Sequence, residues 1–374
     1  MVRLVFLLSL GAIVYTYLIY PSLLLVLGGR RGRRDGAADR DGRGSPSVSV
    51  VLAAYNESRI IARKIENFLS CRYSGLSEMI IVSDGSTDET NLIASKYVSE
   101  RVSLMVSTDR RGKDISLKDA ARRAKGEILV FTDAGAIFAR DALERLAEPF
   151  SDPSVGLVSG AVEYLGAGSA GLYRRYEDWL KSLESQWGVI PGANGPLYAL
   201  RQSIWREELP PLINDFSHPA LAALQGYEST VAGDAVCFQD RSGDNPLRRH
   251  VRIVAGAAAV MSYFVPRLFA ARRWRVLFVL ISHKVLRWIT VPLAVGLAIS
   301  AAALWDRGLL YQLTLLAEVC FLALAALGAV AARLGFSSKL RIPYDFIAVN
   351  VAATIGLFRW ATGRVPLIWE PRGL

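Results

Sequence analysis

The chain is predicted to be an α/β protein with a mainly parallel sheet, soluble in its middle and apolar at both ends. Three observations carry this. Short apolar runs alternate with helix-spaced segments between residues 47 and 133, two of those runs stop abruptly at an acid, and long apolar stretches lie at the two ends. Of the 374 residues, 52% are hydrophobic, a share high for a soluble protein and concentrated at the termini. The formal net charge is +10, with arginines clustered beside the apolar segments, so anionic lipid accounts for the charge more simply than nucleic acid. No zinc-finger spacing and no basic stripe interleaved with aromatics points to nucleic acid. Three widely spaced cysteines, Cys71, Cys237 and Cys320, imply no disulfide framework.

Residues 1–28 form a nearly unbroken apolar run, long enough to span a bilayer as a helix. Arg30, Arg31, Arg33 and Arg34 follow it, and no small-residue cleavage site is evident, so an uncleaved anchor is expected rather than a signal peptide. The arginine excess places the following domain in the cytoplasm. Residues 29–45 are rich in Gly, Arg and Asp and read as a basic linker.

The first unit is a buried strand over 47–54, a polar turn Tyr55-Asn56-Glu57, and a helix carrying Ile60, Ile61, Ile65 and Phe68. In the second, the strand 79–83 ends in Asp84-Gly85-Ser86-Thr87-Asp88, where Asp84 stands beyond a strand's carboxyl end and Asp88 punctuates the next helix. The third runs from a strand over 102–106 through a basic loop, 109–113, into a helix near 117–124. A fourth strand over 127–132 ends in Asp133. Acids and a lysine loop at one sheet edge suit a nucleoside diphosphate with a cation between carboxylates and phosphates. Neither G-x-G-x-x-G nor a Walker loop is present.

In this order and spacing, the stretches 48–57, 82–88, 111–113 and 126–134 resemble family 2 glycosyltransferases of GT-A fold, in particular the membrane-anchored, cellulose-synthase-like and poly-N-acetylglucosamine-synthase-like group. Gly192 to Arg201 is similar to that family's acceptor-side loop, Leu212 to Phe216 to its paired-acid motif, and Arg248 to Ile253 to its diphosphate-closing basic segment. The resemblance implies an inverting transferase using a nucleotide-sugar donor, a UDP-sugar above all, with a lipid-linked or polysaccharide acceptor. It implies Asp215 as catalytic base. Tyr55, Glu57, Asp84, Lys113, Asp133, Arg249 and Arg252 would bind the donor, and Trp187, Asn194 and Gly195 the acceptor. Asp133 would also hold Mg²⁺ or Mn²⁺, although the second acid of the D-x-D element is replaced by Gly135.

The residues themselves leave blander roles open: Asp215 as a helix cap, Lys113 as a solvated lysine, Asn194 as a turn residue, Trp187 as core. His218, His250 and His283 lack ligand spacing and are assigned no metal. The family's processive members carry Q-x-x-R-W, which this chain lacks, favouring single addition. A catalytically reduced membrane scaffold binding nucleotide sugar or a partner protein is the alternative, kept by Gly135.

The expected organisation is a GT-A domain over 46–263, an amphipathic interfacial segment over 264–284, and a membrane region over 285–374. Candidate spans there are 285–305, 309–332 and 343–358, so two or three helices and a short tail. With three spans and a cytoplasmic domain the tail falls on the far side, despite Arg359, Arg364 and Arg372.

Overall fold

The structure is a computed structural model, and it describes residues 1–28, 45–165, 171–210, 212–240, 245–334, 339 and 341–364. The expected linker, apart from Ser45, and the tail beyond residue 364 lie outside these.

The N-terminal run is helical throughout its described length. Helices α1 (Val2–Val14) and α2 (Tyr20–Gly28) are joined by a π-helical turn, Tyr15–Ile19. The domain then builds β1 (Val48–Ala54), α3 (Ile61–Ser70), β2 (Ser77–Asp84), α4 (Thr90–Ser95), β3 (Val102–Ser107), α5 (Lys113–Arg123) and β4 (Ile128–Thr132). These are the alternating units read from the sequence. There follow β5 (Ala136–Phe138), α6 (Ala142–Ala147), β6 (Val155–Leu165), α7 (Gly171–Ser185), β7 (Leu197–Arg201), α8 (Asn214–Leu224) and β8 (Glu228–Asp240).

All eight strands form one sheet in the order β3-β2-β1-β4-β7-β6-β8-β5. Strands β3, β2, β1 and β4 are mutually parallel, whereas β7 enters antiparallel between β4 and β6. The sheet is therefore mixed, its parallel half the one that the sequence announces. Leu52 pairs with Thr132, Ala54 with Ser83, and Asp84 with Ser107, so the ends of β1, β2, β3 and β4 share one edge.

Both faces are covered. Ile61, Ile65 and Phe68 of α3, with Leu143 and Leu146 of α6, pack on one face, and Leu117, Ala120 and Ala121 of α5, with α8, pack on the other. Strands buried on both faces need continuous apolar sequence, which is why β1 and β4 read as runs rather than alternations. Each fully buried Val, Leu, Ile or Phe contributes about 1.5–3 kcal/mol.

Helix α9 (Pro246–Ala270) corrects the expected boundary at 263–264, which falls inside one continuous helix. Its buried face, including Val254, Ala258 and Phe264, belongs to the same core as α5 and α8. The expected interfacial segment begins as the last turns of α9 and continues as α10 (Trp274–Val279), a π-helical turn Leu280–Val285, and α11 (Leu286–Trp288). Helices α12 (Thr290–Ala303), α13 (Leu309–Arg333) and α14 (Arg341–Ala361) follow.

Among the described residues, three helices are long and apolar enough to cross a membrane: Val2–Val26, Pro246–Ala270 and Leu309–Arg333. The pair Trp274–Trp288 and Thr290–Ala303, bent by 60°, forms a fourth if it is one span. The expected span at 285–305 thus starts inside a bent pair. The cysteines Cys71, Cys237 and Cys320 are free.

Candidate active site

The loops after β1 and β2 are latched together by their small polar residues. Asn56 takes the left-handed conformation (φ 53°), and its Oδ1 accepts from the Thr87 amide at 2.8 Å, while its own amide donates to Ser86 Oγ at 3.1 Å. Asp88 accepts from the amides of Thr90 (2.9 Å) and Ser58 (3.1 Å), so it caps the next helix and ties it to the first loop. Tyr55 presents its ring to the Arg110 guanidinium, 4.1 Å from the centroid, and the Glu57 amide donates to Thr90 Oγ1 at 2.8 Å.

Asp84 is only 4% exposed and spends both oxygens on the basic loop: Oδ1 accepts from the Arg111 amide at 2.8 Å and Oδ2 from the Gly112 amide at 2.9 Å. Gly85 (φ +71°) lets that loop approach, since a Cβ there would sit 2.7 Å from the Arg110 nitrogen. The next residue, Lys113, opens α5 and pairs directly with Asp133 Oδ1 at the end of β4. Burial disfavours charge on both groups, but their mutual attraction prevails, raising Lys113 and lowering Asp133.

Beneath the turn after Asp133 lies Lys64, fully buried on the apolar face of α3. Its Nζ donates to Thr132 Oγ1 at 3.0 Å and to the Ala136 carbonyl at 2.5 Å, stapling the two ends of the turn, and it sits 3.5 Å from the Phe138 ring centroid. Burial pushes its pKa down to about 7. This lysine was not singled out from the sequence, though its place between Ile61 and Phe68 in an apolar stripe marks it.

Asp215 lies in the first turn of α8, and its carbonyl accepts from the Ala193 amide at 2.7 Å. Its carboxylate rests against Gly195, where a Cβ would approach Oδ2 to 2.8 Å. Burial raises its pKa, Asp133 adds to the rise, and Lys113, Lys181 and Arg252 oppose it. Asn194 is fixed by three bonds, donating to Ser159 Oγ (2.9 Å) and the Gly160 carbonyl (2.7 Å) and accepting from Lys181 Nζ (2.9 Å). The floor is Phe131 stacked on Tyr198, with Tyr198 hydroxyl 3.1 Å from His218 Nδ1. Burial pushes His218 down to about 3, so it is a neutral core histidine.

The structure thus brings Asp84, Lys113, Asp133, Asn194, Gly195 and Asp215 to one edge. Arg252, in the second turn of α9, is close enough to act on the Asp215 charge, and Arg249, in the first turn, lies 5.9 Å from the Tyr164 ring centroid. Trp187 stands apart from them: its half-buried ring stacks one face on Phe278, centroids 6.0 Å apart at 17°, and packs against a cluster with Tyr20 and Leu24 of the N-terminal helix.

A further acid escaped sequence reading. Asp114, in the first turn of α5, is pushed up to about 7 by burial, opposed by Lys113 and reinforced by Asp215. A carboxyl raised above its unfolded value of about 3.9 holds its proton more tightly in the fold, so its contribution to stability is lost as pH rises from about 4 through 7. Asp114→Asn is expected to raise the melting temperature relative to wild type at pH 8 and not at pH 4, a difference read by paired thermal melts.

Gly135 stands where a second acid of the D-x-D element would be, and a Cβ there would meet only Ile60 Cδ1, at 3.8 Å. The ligand that remains is the Asp133 carboxylate, whose Oδ2 accepts from Gln239 Nε2 at 3.5 Å. Among the described residues no three His, Cys, Asp or Glu side chains converge to hold a metal. One carboxylate fits Mg²⁺ or Mn²⁺ only as an ion that takes its other ligands from phosphate and water.

The mixed sheet, with carboxylates and a lysine at its strand ends, has a GT-A-like fold. Residues 49–205 match the family described as Glycosyl transferase family 2. An N-acetylglucosaminyltransferase of Azorhizobium caulinodans is 26% identical over 185 residues, 46% of this chain and 46% of that protein. Glycosyltransferase AglE of Haloferax volcanii is 25% identical over 246 residues, 61% of this chain and 80% of that protein. A poly-beta-1,6-N-acetyl-D-glucosamine synthase of Staphylococcus aureus is 32% identical over 115 residues, 30% of this chain and 28% of that one. The chain spans about half the length of the N-acetylglucosaminyltransferases it matches. Among solved structures, the mannosyltransferase PcManGT of Pyrobaculum calidifontis, in complex with GDP-Man and Mn²⁺, superposes with a TM-score of 0.67. It is 22% identical, with 97% of this chain and 98% of that chain covered, so the likeness of fold includes the helices outside the sheet.

Proposed function

We propose that the protein is an inverting glycosyltransferase, moving a sugar from a nucleotide-sugar donor to a lipid-linked or polysaccharide acceptor at a membrane. The observation that carries this is the Lys113–Asp133 pair held beside Asp215, a cation at the donor edge with a raised carboxyl next to it. Asp215 takes the proton of an acceptor hydroxyl as that oxygen attacks the anomeric carbon. The bond to the diphosphate breaks on the opposite face of the sugar, and the nucleoside diphosphate leaves with the electron pair. Its charge is met by Lys113, Arg249 and Arg252. Asp133 would hold a divalent ion, which would supply further charge neutralisation. Tyr55 and Glu57 face the nucleoside, Asp84 binds it indirectly by holding the basic loop, and Asn194 with Gly195 shapes the acceptor side. Domain bounds follow the helices: anchor to residue 28, transferase domain from 46, and a membrane-associated region from α9 onward.

The test is a donor panel including UDP-N-acetylglucosamine and GDP-mannose, given to purified full-length protein with lipid-linked acceptors, reading released nucleoside diphosphate. Turnover with any donor supports the reading. Nucleotide binding without turnover across donors and acceptors supports instead a membrane scaffold, the reading that Gly135 favours.

Gly135 also allows a direct measurement. Because the position is sterically open, Gly135→Asp is expected to fold and to bind Mn²⁺ about tenfold more tightly in the presence of nucleoside diphosphate, through the added carboxylate. Manganese titration followed by electron paramagnetic resonance reads this. Equal affinities would remove Asp133 from the ion's ligands.

The arginines flanking the N-terminal run support a cytoplasmic side for the catalytic domain. Protease added to inside-out vesicles is then expected to cut the domain, and protection there would reverse the orientation.

A further inference from the structure

Beside the active site, where α7 meets the membrane-side helices, is a cavity of about 70 Å³ that the transfer chemistry does not use. Its polar side is formed by Glu177, His250, Lys284 and Arg287, and its apolar side by Trp288 and Val349. Arg287 Nη1 pairs with Glu177 Oε1, and Lys284 Nζ lies 3.5 Å from Oε2. His283 bridges Glu177 (3.3 Å) and the fully buried Glu184 (2.6 Å), and Glu184 accepts from the Tyr20 hydroxyl of the N-terminal helix at 2.6 Å. Burial works against the charge on Glu177, yet Arg287, Lys284 and His283 hold it well below the usual carboxylate range.

Two further observations set this cluster apart. Both π-helical turns meet here, Tyr15 hydroxyl lying 2.8 Å from Ser282 Oγ, and π-turns concentrate at functional positions. The cluster is also wired to the active site. Lys181 lies one helical turn, about 5.4 Å, along α7 from Glu177 and donates to Asn194, whose neighbour Gly195 abuts the Asp215 carboxylate.

An arginine and a lysine, beside a histidine and converging on a carboxylate at the membrane junction, form a seat for an anion, with Glu177 as its present occupant. We propose that this cavity receives the phosphate or diphosphate of a lipid-linked acceptor, which displaces Glu177 from Lys284 and Arg287. The apolar wall at Trp288 and Val349 follows the lipid's first carbons. A glycan attached to that phosphate then lies along Lys181 and Asn194 and brings its hydroxyl to Asp215. This rests on the proposed transfer to a lipid-linked acceptor and names the group that this acceptor must carry.

The test uses full-length protein in detergent without any donor sugar, so its outcome is read whether or not turnover is ever found. Decaprenyl phosphate, decaprenol and inorganic phosphate are the probes, with retention read by native mass spectrometry and competition titration. Wild type is expected to retain decaprenyl phosphate over decaprenol, and inorganic phosphate to compete weakly. Lys284→Met and Arg287→Met are each expected to weaken decaprenyl phosphate by about 10- to 100-fold, the loss of one charged hydrogen bond, without changing decaprenol. Glu177→Gln, which removes the competing carboxylate, is expected to bind decaprenyl phosphate more tightly than wild type, a gain that a purely structural Glu177 does not predict. Thermal midpoints show whether each variant folds, and Lys284→Met, at a partly exposed position, decides if Glu177→Gln or Arg287→Met does not. Equal retention of phosphate and alcohol, no loss in Lys284→Met, or weaker binding by a folded Glu177→Gln would overturn the assignment. Inorganic phosphate competing as well as the lipid would make this a soluble-anion site and overturn it too. Turnover with lipid-linked acceptors alongside any of those results would leave the transferase standing and remove only this seat.

Discussion

Asp215→Asn protein is expected to bind nucleotide as wild type does and to turn over about a hundred- to ten-thousand-fold more slowly, the usual worth of a general base. Binding should survive because the main chain here is held independently of the side chain: the Asp215 carbonyl accepts from Ala193, and α8 continues into the core through Ala220 and Leu221. Asparagine keeps the shape against Gly195 but cannot take a proton. The raised pKa supplies a second readout. Asp215 acts deprotonated, and burial with Asp133 raises it, so wild-type kcat should fall on the acid side at a pH above the ordinary carboxylate range. Unchanged kcat in the variant, with nucleotide affinity intact, would place the base elsewhere, and Asp114 is then the next carboxyl to test.

The parallel half of the domain was legible because its strands are buried on both faces and end in polar turns. Continuous runs such as Ile128–Thr132 admit few other readings, and an acid directly after one is conspicuous. The motif 83–88 was legible for a partly different reason than ligand binding: Ser86, Thr87 and Asp88 latch two loops. The antiparallel half was harder to see. Strand β6 includes Gly156 and Gly160, which serve close packing, since a Cβ on Gly160 would lie 2.7 Å from Leu197 Cδ2, and these glycines break the apolar pattern. Helix α9 carries arginines at 248, 249, 252 and 267, near its two ends, and these obscure the continuity of the apolar face between them. Charged side chains were the least legible. Lys64, Lys181 and Glu177 matter through partners distant in sequence, Thr132, Asn194 and Arg287, and no local spacing announces such pairs.

Asp84→Ala is expected to lower nucleoside diphosphate affinity by about a hundredfold or more while leaving the sheet folded. The reasoning starts from what the carboxylate does before any ligand arrives. It accepts two backbone amides, Arg111 and Gly112, and hydrogen bonds to a charged acceptor contribute about 1.5–3 kcal/mol each. Alanine leaves both amides without that partner, so the loop has reason to move toward water. Lys113 is the next residue in the chain, and its pairing with Asp133 across the site depends on where the loop ends and α5 begins. Loss of Asp84 therefore dissolves the donor edge from one side even though Asp84 itself is nearly closed to solvent. Asp84→Asn separates anchoring from charge. Its amide oxygen can accept from one of the two backbone groups, whereas its NH₂ faces the other donor without accepting, so an intermediate loss is expected. Isothermal titration with UDP and GDP, beside thermal melts of the three proteins, reads both effects. Equal affinities across the series would mean that the basic loop holds its place without Asp84, and the donor edge would then have to be organised by the Lys113–Asp133 pair alone.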